Sequence, residues 1–280
     1  MPKHSAKQTT RFLSAALKQA GIFDIVISPG SRNAPLIIEL TNRQALTNYS
    51  IVDERVAGFF ALGLSQQSQK PSVLVCTSGS ALLNFYPAIA EAFYSHIPLI
   101  VISADRPQKW IDQGEGQTIR QHNVFKNHSW YNVTLSETVE EADKDKIKTA
   151  IETAIDKRGP VHINMPFDEP LYDIVEVPDE TIPKIQTDFS AKIYEVPFLE
   201  TFEQKWQQAG RKMILVGQHQ PSEFLSLQLK KLAEDPSVII LTENISNVYN
   251  DRFINHIDQV IFPLDASELQ DLKPDILMTI

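Results

Sequence analysis

The stretch from Pro71 to Pro107 leaves few folds open. Val73–Cys76 is a short apolar run, and Thr77-Ser78-Gly79-Ser80 is a polar turn with one glycine. From Ala81 to Phe93 the apolar residues Leu82, Phe85, Ile89 and Phe93 recur at helical spacing, and Leu99–Ser103 is a second apolar run. Strand, small-residue turn, helix and strand make a βαβ crossover, and unbroken apolar runs are what strands covered on both faces require. Ligands of open α/β sheets bind beyond the carboxyl ends of the strands. Two loops are therefore candidates for a site: Thr77–Ser80 and Ala104–Pro107.

The flanking residues extend the pattern. Thr9 or Thr10 can cap a helix running to Gln19, with Phe12, Ala16 and Leu17 inward and Gly21 ending it. Asp24–Ser28 reads as a strand, the rigid polar loop Pro29–Pro35 follows, and Leu36–Leu40 begins a helix. Thr47–Ser50 is a short strand, and Asp53-Glu54 open a helix over Arg55–Gln66 with small residues at Ala57, Gly58, Ala61 and Gly63. Residues 106–128 lack any sustained period, as functional or mobile segments often do. A strand at Trp130–Leu135, a helix at Thr138–Lys157 and a strand at Val161–Asn164 complete a first domain. The expected fold is thus a three-layer α/β sandwich with a mainly parallel sheet over residues 1–177. A linker follows at 178–197, and then a second, incomplete α/β domain at 198–280. In that second part we expect a helix at 200–210, a strand at Lys212–Gly217, a helix at Ser222–Asp235 and a strand at Val238–Thr242. A helical turn at Asp251–His256 and short strands at Gln259–Phe262 and Asp275–Ile280 follow. The closing apolar run fits either a protein that ends on its last core strand or a piece of a longer enzyme, and the second is the expectation.

Bulk properties narrow the class. The chain has 280 residues, 42% of them apolar, enough for a sizeable core. A formal net charge of −9 argues against nucleic acid, whose phosphates need concentrated Lys and Arg. Cys76 is the only cysteine, so no intrachain disulfide exists and a reducing compartment is natural. No segment approaches the roughly 18 apolar residues of a membrane span, and the N-terminus lacks a signal-like apolar run, so a cytoplasmic protein is expected.

The residues that could carry chemistry each have a plainer role. Glu54 sits in the first turn of an apolar helix, where the dipole favours an acid, but a carboxyl in apolar surroundings can also exchange a proton with a heterocycle nitrogen. Ser31-Arg32 and Arg106 lie on strand-end loops of one sheet, and guanidinium groups pair bidentately with carboxylates when they are not merely surface charges. Gln117, Arg120 and Gln121 could complete such a cleft. Thr77, Ser78 and Gly79 could offer backbone N–H groups to a phosphate, although neither the Gly-rich loop of nucleotide hydrolases nor the dinucleotide fingerprint is present. The seven histidines are scattered, with no zinc or iron signature. Cys76, inside an apolar run, is expected to pack rather than react.

Four motifs in order carry a resemblance: Ser28-Pro29-Gly30-Ser31-Arg32-Asn33-Ala34-Pro35-Leu36, Asp53-Glu54-Arg55 running into Ala57–Gly63, Cys76–Ala81 with Asn84–Ala88, and Ser103-Ala104-Asp105-Arg106-Pro107. Together they resemble the thiamine-diphosphate-dependent 2-succinyl-5-enolpyruvyl-6-hydroxy-3-cyclohexene-1-carboxylate synthases of menaquinone biosynthesis. The resemblance implies that the first domain is a pyrimidine-binding domain. It implies a transferase that decarboxylates 2-oxoglutarate on thiamine diphosphate and adds the resulting succinyl-semialdehyde carbanion to isochorismate. Glu54 would then be catalytic, contacting the aminopyrimidine ring, with Thr77, Ser78 and Gly79 also against the cofactor. Ser31, Arg32, Arg106 and Gln117 match substrate contacts. Mg2+ or Mn2+ and the diphosphate would be held mainly by a domain absent from this chain, so the chain alone is expected to be inactive. A homodimer or homotetramer is implied. Two rivals stay open: another thiamine-diphosphate enzyme, such as a 2-oxoacid decarboxylase or acetohydroxyacid synthase, and a non-catalytic α/β binding module. Two arginines weigh against the first and Glu54 against the second.

Overall fold

A computed structural model describes residues 3–189 and 199–280, and the chain divides into two compact units at residues 191 and 192. In the first unit the elements are β1 (Lys3–Ser5), α1 (Gln8–Ala20), β2 (Asp24–Ile27), α2 (Ala34–Thr41), β3 (Thr47–Ser50), α3 (Glu54–Ser68) and β4 (Ser72–Cys76). They continue with α4 (Ser80–Leu83), α5 (Tyr86–Tyr94), β5 (Leu99–Asp105), β6 (Tyr131–Thr134), α6 (Ala142–Lys157), β7 (Pro160–Pro166) and β8 (Ile174–Glu176).

Six strands form one sheet in the order β3-β2-β4-β5-β7-β6, every neighbouring pair parallel. Alternate side chains of each strand serve opposite faces. Val73, Val75, Ile100 and Ile102 join Phe12, Leu36, Leu40, Ile147 and Ile151 of α1, α2 and α6 on one face. Leu74, Cys76, Leu99 and Val101 join Ala57, Ala61, Leu82, Phe85 and Ile89 of α3, α4 and α5 on the other. This is the three-layer α/β sandwich expected from the sequence, and both helical layers are apolar because both faces of the sheet are.

Several local expectations change. Neither Thr9 nor Thr10 caps α1: Lys7 occupies that position, and Thr10 Oγ1 bonds back to the Lys7 carbonyl at 2.7 Å. Gly21 does end the helix, at φ 69°. The helix expected from Ala81 to Phe93 is two helices, because Pro87 has no N–H to give and its ring would meet the carbonyl one turn back. β1 and β8 were not expected; they form a small antiparallel pair.

Residues 177–189, after β8, carry no helix or strand, yet they lie on the first unit. Ile185 is buried in the α1–α6 core, and its N–H meets Gln19 Oε1 at 2.7 Å. Glu180 accepts from Arg11 Nε at 3.0 Å, and Asp179 pairs with Arg43 at 2.5 Å. Arg43 also pairs at 2.7 Å with Glu39, which is fully buried and accepts from Ser14 Oγ at 2.6 Å. Burial pushes the Glu39 carboxyl up, but bonds from Ser14, Arg43, His4 and Ser5 outweigh it and hold the group below its usual range. Residues 190–198, the end of the expected linker and the first residue of the expected second domain, lie outside the described residues.

The second unit contains α7 (Leu199–Gln208), β9 (Lys212–Val216), α8 (Glu223–Leu232), β10 (Val238–Thr242), α9 (Ile257–Ile261), α10 (Ala266–Leu272) and β11 (Ile276–Thr279). Its sheet runs β10-β9-β11, all parallel, with Ile214, Val216, Leu229, Ile240, Val248 and Phe253 as its core. Two expectations fail here. Asp251–His256 is not helical, since Ile254 bridges to Leu241. Gln259–Phe262 is helix rather than strand, and α10, capped reciprocally by Asp265 and Glu268, was not foreseen. The short strand expected at Asp275–Ile280 does form, as β11, paired parallel to β9.

Candidate functional site

The sheet fixes where a site can form. α2, which follows β2, packs on one face, and α4, which follows β4, packs on the other, although β2 and β4 are neighbours. The chain therefore diverges above this pair, which is the crevice where α/β sheets hold ligands. The two loops at its mouth touch. A Cβ placed on Gly30 would stand 2.5 Å from Thr77 Cβ, so only glycine lets them close. Gly79 has φ 86°, and a Cβ there would meet the backbone of Gln117 at 3.1–3.2 Å.

The neighbouring loops are tied to the same rim. Phe167, just past β7, donates its N–H to the Asp105 carbonyl at 3.0 Å, and its own carbonyl accepts from Arg32 Nη1 at 2.9 Å. Arg32 also pairs with Glu169 at 3.3 Å. Arg106 donates to the Gly116 carbonyl at 3.2 Å and stands 3.8 Å from Glu115. Phe167 thus bonds both the Arg32 side chain and the carbonyl of the residue before Arg106. Among the described residues the Nε of Arg32 and that of Arg106 are each buried without a hydrogen-bond partner, and so is the hydroxyl of Ser78, which is 1% exposed. Asn33 Oδ1, on the loop after β2, is a fourth such atom; buried polar atoms are ordinarily paired, so four orphans on the loops after β2, β4 and β5 mark a place built to meet something polar.

Beneath the rim runs a buried polar network. Ser103 donates to Asn164 Oδ1 at 2.7 Å and accepts from His162 Nε2 at 2.8 Å. Asn164 Nδ2 donates to Asp105 at 2.7 Å, and the Arg106 N–H caps the other oxygen at 2.8 Å. Burial pushes Asp105 up to about 6, against those two hydrogen bonds. Burial also pushes His162 down to about 3, helped by the charge of nearby His122.

The candidate residues fare differently. Glu54 is half-buried in the first turn of α3, which Asp53 caps through the Val56 N–H at 3.0 Å. Its carboxylate has no hydrogen bond or ion pair among the described residues, but it lies near enough to Cys76 to push that thiol upward beyond the effect of burial. Thr77 and Ser78 are buried at the crevice. Ser31 is exposed, and Arg120 turns outward to Asp112 at 2.9 Å. Gln117 contributes its backbone against Gly79 while its side chain is exposed. Gln121, by contrast, is buried and bonds the Gly79 N–H at 2.8 Å. Sequence reasoning did not assign roles to Asn164 and His162. Their signal was two polar residues inside the apolar run Val161–Met165, which a buried strand tolerates only when they are paired. Cys76 is fully buried, as expected. Among the described residues no group of His, Cys, Asp or Glu is placed to hold a metal ion, and no helix is long and apolar enough to cross a membrane.

Comparison with known proteins places the chain in a family. The family model for the thiamine pyrophosphate enzyme N-terminal TPP binding domain matches residues 7–125. A 2-succinyl-5-enolpyruvyl-6-hydroxy-3-cyclohexene-1-carboxylate synthase from Flavobacterium psychrophilum is 52% identical over 259 residues, covering 92% of this chain and 47% of that protein. The enzyme of the same name from Flavobacterium johnsoniae is 51% identical, with 92% and 47% covered. That from Christiangramia forsetii is 46% identical, with 99% and 52% covered. The chain spans about half the length of the curated relatives it matches. On this likeness, carried over nearly all of its residues, the chain belongs to the 2-succinyl-5-enolpyruvyl-6-hydroxy-3-cyclohexene-1-carboxylate synthase family.

Proposed function

We propose that this chain supplies the pyrimidine-binding half of a thiamine-diphosphate site that joins the carbon skeleton of 2-oxoglutarate to isochorismate. The observation that carries this reading is the set of buried, unpartnered polar atoms Arg32 Nε, Ser78 Oγ and Arg106 Nε on three neighbouring strand-end loops. Both substrates bear carboxylates, and a guanidinium with a free Nε–H can take one without giving up its existing bonds. The residues present fit the ring end of the cofactor. Glu54 offers a carboxyl with no partner among the described residues on an apolar helix, and the missing side chain of Gly30 lets its loop close on the Thr77 side chain at the crevice mouth. Thiamine diphosphate, when bound, supplies the electron sink that lets a 2-oxoacid lose carbon dioxide. Glu54 holds or delivers a proton at the pyrimidine ring nitrogen, while Arg32 and Arg106 orient substrate carboxylates. Ser31 and Gln117 line the same rim from its exposed side. The described residues do not fit a metal ion, so none of these roles passes through Mg2+ or Mn2+.

Self-association belongs to the same reading. α3 begins at Glu54 and presents Val56, Phe59 and Phe60 to solvent, beside the exposed Val52. These residues fall on one stripe of the helix, continuous with the site, and we assign it to a second copy of the chain.

The test is a chimera in which this chain replaces the matching portion of the Flavobacterium psychrophilum relative. With thiamine diphosphate and Mg2+ or Mn2+, it should consume 2-oxoglutarate only when isochorismate is present. Arg32→Ala and Arg106→Ala should each raise KM for a carboxylate substrate by roughly 10- to 100-fold, the worth of a charge-assisted hydrogen bond. Preferential turnover of pyruvate, unaffected by either arginine variant, would refute the reading.

A further inference from the structure

We propose that Gln121 is the positioning residue that keeps the Thr77–Gly79 loop and the Arg106 loop in register. Its consequence for catalysis rests on the function proposed above; its structural part does not. Gln121 is 1% exposed, and every hydrogen-bonding atom of its amide is in use. Oε1 accepts the Gly79 N–H at 2.8 Å, and Nε2 reaches Asn164 Oδ1 at 2.8 Å, the Ala104 carbonyl at 3.1 Å and Ser103 Oγ at 3.2 Å. The amide cannot be turned over, because its NH2 would then face the Gly79 N–H and its oxygen two acceptors. Four residues earlier, Gln117, itself at φ 55°, lays its backbone against the Cα of Gly79. The segment 117–121 therefore clasps Gly79 on two sides and holds it at a φ and ψ of 86° and −148°, a conformation reserved for glycine.

From Gly79 the hydrogen bonds continue without a break. They run through Gln121 to Asn164, from Asn164 to Asp105, and from Asp105 to the Arg106 N–H. One side chain thus couples the loop after β4, the ends of β5 and β7, and the arginine that faces substrate. Among the described residues no other side chain bonds the Gly79 N–H, so its loss leaves that buried donor unpaired.

Amide hydrogen exchange on this chain tests the structural part. Q121M keeps the length and removes the hydrogen bonds. It should speed exchange at residues 77–83 by about tenfold or more while leaving α1 unchanged. Wild-type exchange at 77–83 in Q121M would overturn the proposal. Should Q121M speed exchange everywhere, Q121E decides. At about pH 5 burial keeps the new carboxyl protonated, so that it can both accept and donate, and wild-type exchange at 77–83 supports the clasp. Exchange as fast as in Q121M overturns it, each variant being compared with wild type at the same pH. In the chimera, Q121M should lower kcat about tenfold or more with KM for 2-oxoglutarate changed by less than about twofold. A change in KM alone would overturn the positioning role. A wild-type chimera without activity would count against the proposed function and leave the exchange result to judge Gln121.

Discussion

Asp105 and His162 are two buried groups of one network whose responses to acid oppose each other, and this can be measured. Asp105 rises from 3.8 to about 6 on folding, so its contribution to stability is full below about 3.8 and is lost as pH climbs through about 6. His162 falls from 6.5 to about 3, so its contribution is full above about 6.5 and is lost as pH drops toward about 3. Going from about pH 7.5 to about pH 4.5, linkage gives a loss of about 3 kcal/mol from His162 and a gain of about 2 kcal/mol from Asp105. The two nearly cancel in the wild type. His162→Gln keeps a donor for Ser103 and cannot take up the proton. Its stability relative to wild type should therefore rise by about 3 kcal/mol over that interval. Asp105→Asn should shift the other way by about 2 kcal/mol. Urea unfolding followed by tryptophan fluorescence in a Trp206→Phe background reads the first unit through Trp110 and Trp130. A variant-minus-wild-type difference that stays within about 0.5 kcal/mol at both pH values, for either substitution, would refute this account of the network.

Three further outcomes are expected. Gly30→Ala places a methyl 2.5 Å from Thr77 Cβ and should cost about 1–3 kcal/mol in urea unfolding, whereas Gly63→Ala, with open space around it, should cost nothing. In the chimera, Glu54→Gln should lower kcat by roughly 10²- to 10⁴-fold without changing the melting temperature, as loss of a proton-handling group does. Phe59→Asp should shift the chain toward monomer in sedimentation velocity, while Phe224→Asp, still more exposed but in the second unit, should not.

The layered fold was legible because β4 and β5 are unbroken apolar runs flanked by helical periods, a pattern with few solutions. Val260, Ile261 and Phe262 show the limit of that signal: three apolar residues in a row fit strand or helix equally, and here the helix forms. The break before Pro87 and the cap formed by Asp265 and Glu268 were both written in the sequence, and only their reading was missed. The strand-end placement of Arg32, Thr77 and Arg106 followed from element order alone. The role of Gln121 did not. Its partners Ser103 and Asn164 face each other only because β7 inserts beside β5 after the chain has already laid down β6, a pairing no local pattern announces. Gln117 and Gln121 look alike on paper, but tertiary contact buries the second and leaves the first in water.

The strap of residues 179–186 bears on how the first unit can be produced by itself. A boundary drawn at residue 177 would strip Asp179 and Glu180 from Arg43 and Arg11 and uncover the seat of Ile185 beside α1 and α6. Fully buried Glu39 would then share Arg43 with bulk water. Expression of this half for crystallisation or ligand titration should carry the polypeptide to at least Gln186, whose N–H fastens to Glu152 at 2.8 Å. Shorter versions should melt earlier and expose protease-sensitive bonds around the first helix.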